Sequence, residues 1–116
     1  MKIDLKDFIS KHEVALVGRK DGTDLKNRIF SDYGNYIDLE KANDSIEIVV
    51  PHHVEGINNS FWAGLLEEAI LRNGKVGFHN IYKVTARKRI MDNFSKEVDE
   101  IIRDASQEAI LKAMGG

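Results

Sequence analysis

Apolar and polar positions alternate in a few short stretches of this chain, and between them apolar residues recur every three or four positions. Residues 2–5 (KIDL) alternate as a short strand would. Val14 to Val17 is a second candidate for extended structure. GRKDGTD, residues 18–24, reads as a tight loop, with Thr23 or Asp24 placed to cap a following helix. In that helix Leu25, Ile29 and Phe30 keep helical spacing; Gly34 interrupts it, and Ile37, Leu39 and Ala42 resume it before Asn43-Asp44. SIEIVV, residues 45–50, is a continuous β-branched run that suits a buried central strand, which Pro51 ends. VEGINNS, residues 54–60, is a loop, and Asn58, Asn59 or Ser60 can cap the helix Phe61 to Leu71. Phe61, Leu65 and Ala69, flanked by Trp62, Leu66 and Ile70, give that helix a wide apolar face, and Asn73-Gly74 stops it. KVGFHNIYKV, residues 75–84, alternates as a strand to about Ile81, and Thr85 is placed to cap the last helix. From Ala86 to Ala113 there is no proline or glycine. Ile90, Phe94, Val98, Ile101, Ala105, Ala109 and Met114 step mostly by four, an amphipathic helix with a break expected near Ser95.

Strand, helix, strand, helix, strand, helix is the order of an α/β fold: a small, mainly parallel open sheet flanked by helices, with a long C-terminal helix. Residues 1–95 make the domain, and residues 96–116 a helical extension that packs on it or on a second subunit. The chain has 116 residues, 42% hydrophobic and 31% charged, enough for one core.

There are no cysteines, which excludes disulfides and thiolate metal sites. Residues 1–13 are charged every few positions and lack an apolar segment of signal-peptide length; the longest apolar runs are too short to span a bilayer. A cytoplasmic location and no membrane partner follow as expectations. The net charge of −2 does not point to nucleic acid. Lys83, Arg87, Lys88 and Arg89 form a local basic cluster of the kind that ordinarily makes a solvated helix face.

Two segments resemble the STAS-like family, the small relatives of sulfate-transporter and anti-sigma-factor-antagonist domains. GRKDG at Gly18 to Gly22, before a helix with Leu25 and Arg28, is similar to the family's Gly-Arg, gap, Asp-Gly pattern. GINNSFWAGLLEEAI, residues 56–70, follows the central strand as the family's Ser-Ser-Phe segment does, with Asn59-Ser60-Phe61 in its place. The resemblance covers about residues 2–95. It implies no catalytic activity, no cofactor, and partner switching with a histidine-kinase-like ATPase that phosphorylates a serine at the helix start. The usual acceptor position is held here by Asn59, which cannot take phosphate; Ser60, one residue later, is the candidate for phosphorylation.

The residues that carry chemistry have ordinary structural alternatives. Asn58, Asn59, Ser60, Phe61 and Trp62 are the candidate partner-binding set; free N–H groups at a helix start favour an anion there, but the same residues serve equally as caps and core. Trp62 is either an exposed anchor or core. Arg19 and Lys20 are a candidate anion-binding pair, or else solvated charges, Arg19 pairing with Asp21 or Asp24. His52 and His53 point to opposite faces of an extended segment and do not share a metal; His53 as a base for Ser60 lacks a third group. Glu67 and Glu68 diverge by roughly 100° on a helix and are not paired carboxylates. Three functions remain open: a non-enzymatic regulatory protein-binding module; a small anion- or nucleotide-binding sensor built on Arg19 and Lys20; or an assembly protein that forms a homodimer through its C-terminal helix.

Overall fold

In the computed structural model the described residues, 1–115, form five strands and four helices. Strand β1 (Lys2–Asp4) leads through a short 3-10 turn (Leu5–Asp7) to β2 (Ala15–Leu16), then to helices α1 (Arg19–Tyr33) and α2 (Tyr36–Ala42). Strands β3 (Ile46–Val49) and β4 (Gly56–Ile57) precede α3 (Asn59–Ile81); β5 (Tyr82–Thr85) and α4 (Lys88–Gly115) complete the chain. Two small parallel sheets result, one with order β1-β3-β5 and one of β2 with β4. The fold is α/β, with four flanking helices that include the long C-terminal one.

β3 is central, but buried on one face only. Period-two alternation puts Ile3, Ile46, Ile48, Tyr82 and Val84 into the core. Lys2, Glu47 and Lys83, and in the next row Asp4, Val49 and Thr85, are in register on the opposite face, where none is buried. Ile-Glu-Ile-Val is an alternating strand with one wet face, although the longer run through Val50 reads as continuous.

GRKDGTD is not a loop. Gly18, at φ +92°, turns the chain straight from β2 into α1, so residues 19–24 are its first turns and neither Thr23 nor Asp24 caps it. A side chain at that φ would be strained.

The segment 75–81 is helix rather than strand. The chain kinks at Gly74 (φ +73°, ψ 167°) and helix resumes. Val76 and Phe78 show why alternation misleads here. A strand would put them on one face, yet Val76 is 74% exposed and Phe78 0%. Residues two apart on a helix lie roughly 200° around its axis. The real strand begins one residue beyond Ile81, where Tyr82 and Val84 are the buried positions. Phe78 stacks on Tyr82, ring centroids 4.9 Å apart.

α4 runs through Ser95 without a break, and Ile90, Phe94, Val98 and Ile101 are buried along it. The core therefore continues past residue 95, and only the turns after Ile102 project. A helix of 28 residues is about 42 Å long, and the molecule measures 45 × 31 × 25 Å. No helix among the described residues is long and apolar enough to cross a membrane.

Candidate functional site

The GRKDG segment, residues 18–22, and the segment 56–62 meet. Asn58, the residue before α3, holds them together. Its Oδ1 accepts hydrogen bonds from the Phe61 N–H at 3.0 Å and from the Gly18 N–H at 3.1 Å, so one side chain caps α3 and ties it to the start of α1. Its own N–H donates to the Leu16 carbonyl, continuing the β2–β4 pairing.

Two glycines let the helices touch. A Cβ on Gly22 would sit 2.2 Å from the Phe61 carbonyl oxygen, and one on Gly64 would sit 2.2 Å from the Arg19 carbonyl oxygen. Each glycine thus receives the backbone of the other helix. Arg19 and Glu67 close the same interface with an ion pair at 2.8 Å, and Lys26 lies 3.5 Å from Glu68.

The candidate partner residues divide. Phe61 and Trp62 are core, with Trp62 1% exposed and its ring edge-on to Phe94 at 4.9 Å. Neither can be an exposed anchor, because the apolar face of α3 that begins with them is the one that packs. Asn59 turns inward and donates from Nδ2 to the Glu97 carbonyl (3.0 Å) and carboxylate (3.2 Å), fastening α4 to the start of α3. Asn58 and Ser60 are exposed. Asn58 makes the cap, so the Ser60 hydroxyl is not consumed by it.

Arg19 and Lys20 each have a carboxylate partner. Arg19 is held by Glu67, and the Lys20 ammonium lies 2.9 Å from the Asp24 carboxylate one turn on. That hydrogen bond, then the charges of Asp24 and Asp21, raise the pKa of Lys20. Each cation is answered by a carboxylate that the sequence places one helical turn away or on the facing helix.

A polar cluster that sequence pattern did not reveal joins α2, α3 and β5. The Glu40 carboxylate accepts from Tyr82 Oη, from the Arg72 guanidinium and from Asn73 Nδ2. Tyr36 donates from Oη to the Leu65 carbonyl at 2.9 Å. Burial raises the pKa of both tyrosines, with Glu68 and Glu40 adding to it for Tyr36 and the Glu40 hydrogen bond for Tyr82. These contacts lie within the helix packing and serve structure.

A second surface feature lies at the carboxyl end of the β1-β3-β5 sheet: a cleft of about 560 Å³ bordered by Lys6, Lys11, His52, His53 and Arg87. Of the sequence candidates it holds only His52-His53 and Arg87. Its position follows from parallel strand order, which was legible, but Lys6 and Lys11 come from a segment that carries no motif. Compared with protein-family models, curated proteins and solved structures, the chain finds no match.

Proposed function

We propose that this chain is a regulatory module, without catalytic activity of its own, that binds a protein partner on the face where α1 and α3 begin. One observation carries the reading: Asn58 takes the capping role, so Ser60 stands exposed in the first turn of α3 with its hydroxyl outside the cap. A phosphoryl group there would lie by the helix's positive end and its unbonded first-turn N–H groups. The STAS-like resemblance of the GRKDG and INNSFW segments supplies the partner class, a histidine-kinase-like ATPase, and an intracellular setting. The reading requires no cofactor.

The test is to incubate the chain with a histidine-kinase-like ATPase of its own organism and ATP, and to map phosphate by mass spectrometry. Phosphate on Ser60, lost in Ser60→Ala, and a complex weakened by Ser60→Asp are the expected results. Phosphate confined to Ser10, Ser31 or Ser106, or a complex indifferent to Ser60→Asp, would sink the reading.

A second reading, assembly as a homodimer through α4, is favoured by the end of that helix. Ile110, Leu111 and Met114 are 58%, 68% and 79% exposed, and solvent-facing apolar residues clustered on one helix end invite a partner.

A further inference from the structure

We propose that the cleft at the carboxyl ends of β1, β3 and β5 binds a small phosphomonoester of mononucleotide size. Asp4, Val49 and Thr85, which face one another in register as the last residues of the three strands, all line it. In open parallel sheets this is the end where ligands bind, because loops diverge there and helices begin there. At about 560 Å³ the cleft falls within the range of small-molecule sites.

The lining suits an anion on an apolar body. Ile9, Val50 and Pro51 contribute apolar surface, and Lys6, Lys11 and Arg87 contribute cations. Asp4, the one acidic residue among those that line it, accepts the Lys6 N–H at 3.1 Å and lies 3.7 Å from the Lys6 ammonium, so those two charges offset each other and Lys11 and Arg87 remain as the surplus of positive charge. Arg87 is held at the rim by its Nε–H, which donates to the His52 carbonyl at 2.6 Å. Its terminal nitrogens are left with Glu55 at 3.7 Å, too long for a hydrogen bond. A guanidinium fixed by one nitrogen presents the others in a set direction, the arrangement that bidentate phosphate recognition uses. His53 is similarly oriented, with Nε2 3.0 Å from the Ser10 carbonyl, which leaves Nδ1 as its free ring nitrogen. α4 starts at Lys88, immediately after the lining residues Thr85, Ala86 and Arg87, so unbonded N–H groups of its first turn add to the positive field at this end of the sheet.

This site is separate from the Ser60 face and uses none of Arg19, Lys20 or Ser60. Isothermal titration of the full chain with adenosine 5′-monophosphate, adenosine, ribose 5-phosphate and inorganic phosphate tests it. Saturable binding of the nucleotide is expected, weakened by added salt, with adenosine weaker by roughly tenfold or more for want of charge. Lys6→Ala with Lys11→Ala should weaken the nucleotide by about tenfold or more and leave the urea midpoint unchanged; Lys11→Ala alone gives the same direction. Arg19→Ala with Lys20→Ala should leave binding intact. No saturable binding of any phosphorylated probe up to about 10 mM, a range where specific sites still register, would overturn the proposal. So would nucleotide binding untouched by the lysine variants, or inorganic phosphate binding as tightly as the nucleotide.

Discussion

Replacing Gly64 by alanine adds one methyl group where two helix backbones already meet. The new Cβ would lie 2.2 Å from the Arg19 carbonyl oxygen, 2.8 Å from the Thr23 nitrogen and 3.0 Å from the Arg19 carbonyl carbon. Ordinary contacts begin near 3.4 Å, so α1 has to retreat by about 1 Å, and a gap of that size forfeits a quarter to a half of each dispersion contact behind it. Leu25 and Ile29 on α1, and Leu65, Leu66 and Ala69 on α3, are the core residues exposed to that loosening. Overpacking costs about 1–3 kcal/mol, and the upper end applies because the obstacle is backbone, which cannot rotate away. Against this, alanine gains up to about 1 kcal/mol over glycine inside a helix. The net expectation is a loss of about 2 kcal/mol for Gly64→Ala, and the same sign for Gly22→Ala, whose Cβ would lie 2.2 Å from the Phe61 carbonyl oxygen. Gly77→Ala is the control: its Cβ meets only Asn73 Cβ at 3.4 Å, so the helix-propensity gain should appear alone. Urea unfolding at constant m-value reads all three. The sign decides: if Gly64→Ala and Gly22→Ala raise the midpoint as Gly77→Ala does, the helices are not in backbone contact and the account of this interface is wrong.

Trp62→Ala should cost about 3–5 kcal/mol in urea unfolding, because the indole is core and stacks edge-on with Phe94; a loss below about 1 kcal/mol would return it to the surface. Stability should fall as pH rises above the ordinary tyrosine pKa of about 10, since Tyr36 and Tyr82 are raised above it by burial and stay protonated in the fold while the unfolded chain ionises. The slope is at most about 1.4 kcal/mol per pH unit for each tyrosine, and full tyrosinate absorbance from an intact fold would contradict it. Ending the chain after Ile102 should convert a dimer to a monomer in light scattering with an unaltered core, because Val98 and Ile101 are the last buried side chains; a full-length chain already monomeric at tens of micromolar rejects assembly through α4.

What the sequence revealed of the fold follows the strength of its local patterns. KIDL and SIEIVV became β1 and β3 because short alternating or β-branched runs have few other ways to bury one face. The cap at Asn58 was among the three candidates, and the structure selects it because only that side chain also reaches Gly18, forty residues earlier in sequence. What was illegible depends on partners distant along the chain. Gly22 looks like a turn residue until Phe61 is placed beside it, and Gly64 has no local signature at all. Phe78 passed for a strand residue because its neighbours alternate, whereas Gly74 resets the helix phase and fixes it against Tyr82. At the candidate site, the pairing of the two motif segments was not readable from either alone. The ion pairs of Arg19 and Lys20 likewise needed the positions of Glu67 and Asp24.

The two halves of α4 separate what one helix was read as doing throughout. Ile90, Phe94, Val98 and Ile101 step by four, four and three, and all are buried. Carried forward at about 100° per residue, that stripe reaches Ala105 and then Lys112, so its apolar character fades where the domain ends. Ile110, Leu111 and Met114 centre roughly 150° around the axis from it, and all three are exposed. An apolar patch continuous with the buried stripe would argue that the helix end belongs to the domain's own core. A patch turned away from it cannot be buried by that core without breaking α4. The reading of Met114 as part of one long stripe therefore fails on phase. A second subunit that covered these residues would approach from the side opposite α3, and truncation after Ile102 removes that side while leaving the packed half of the helix in place.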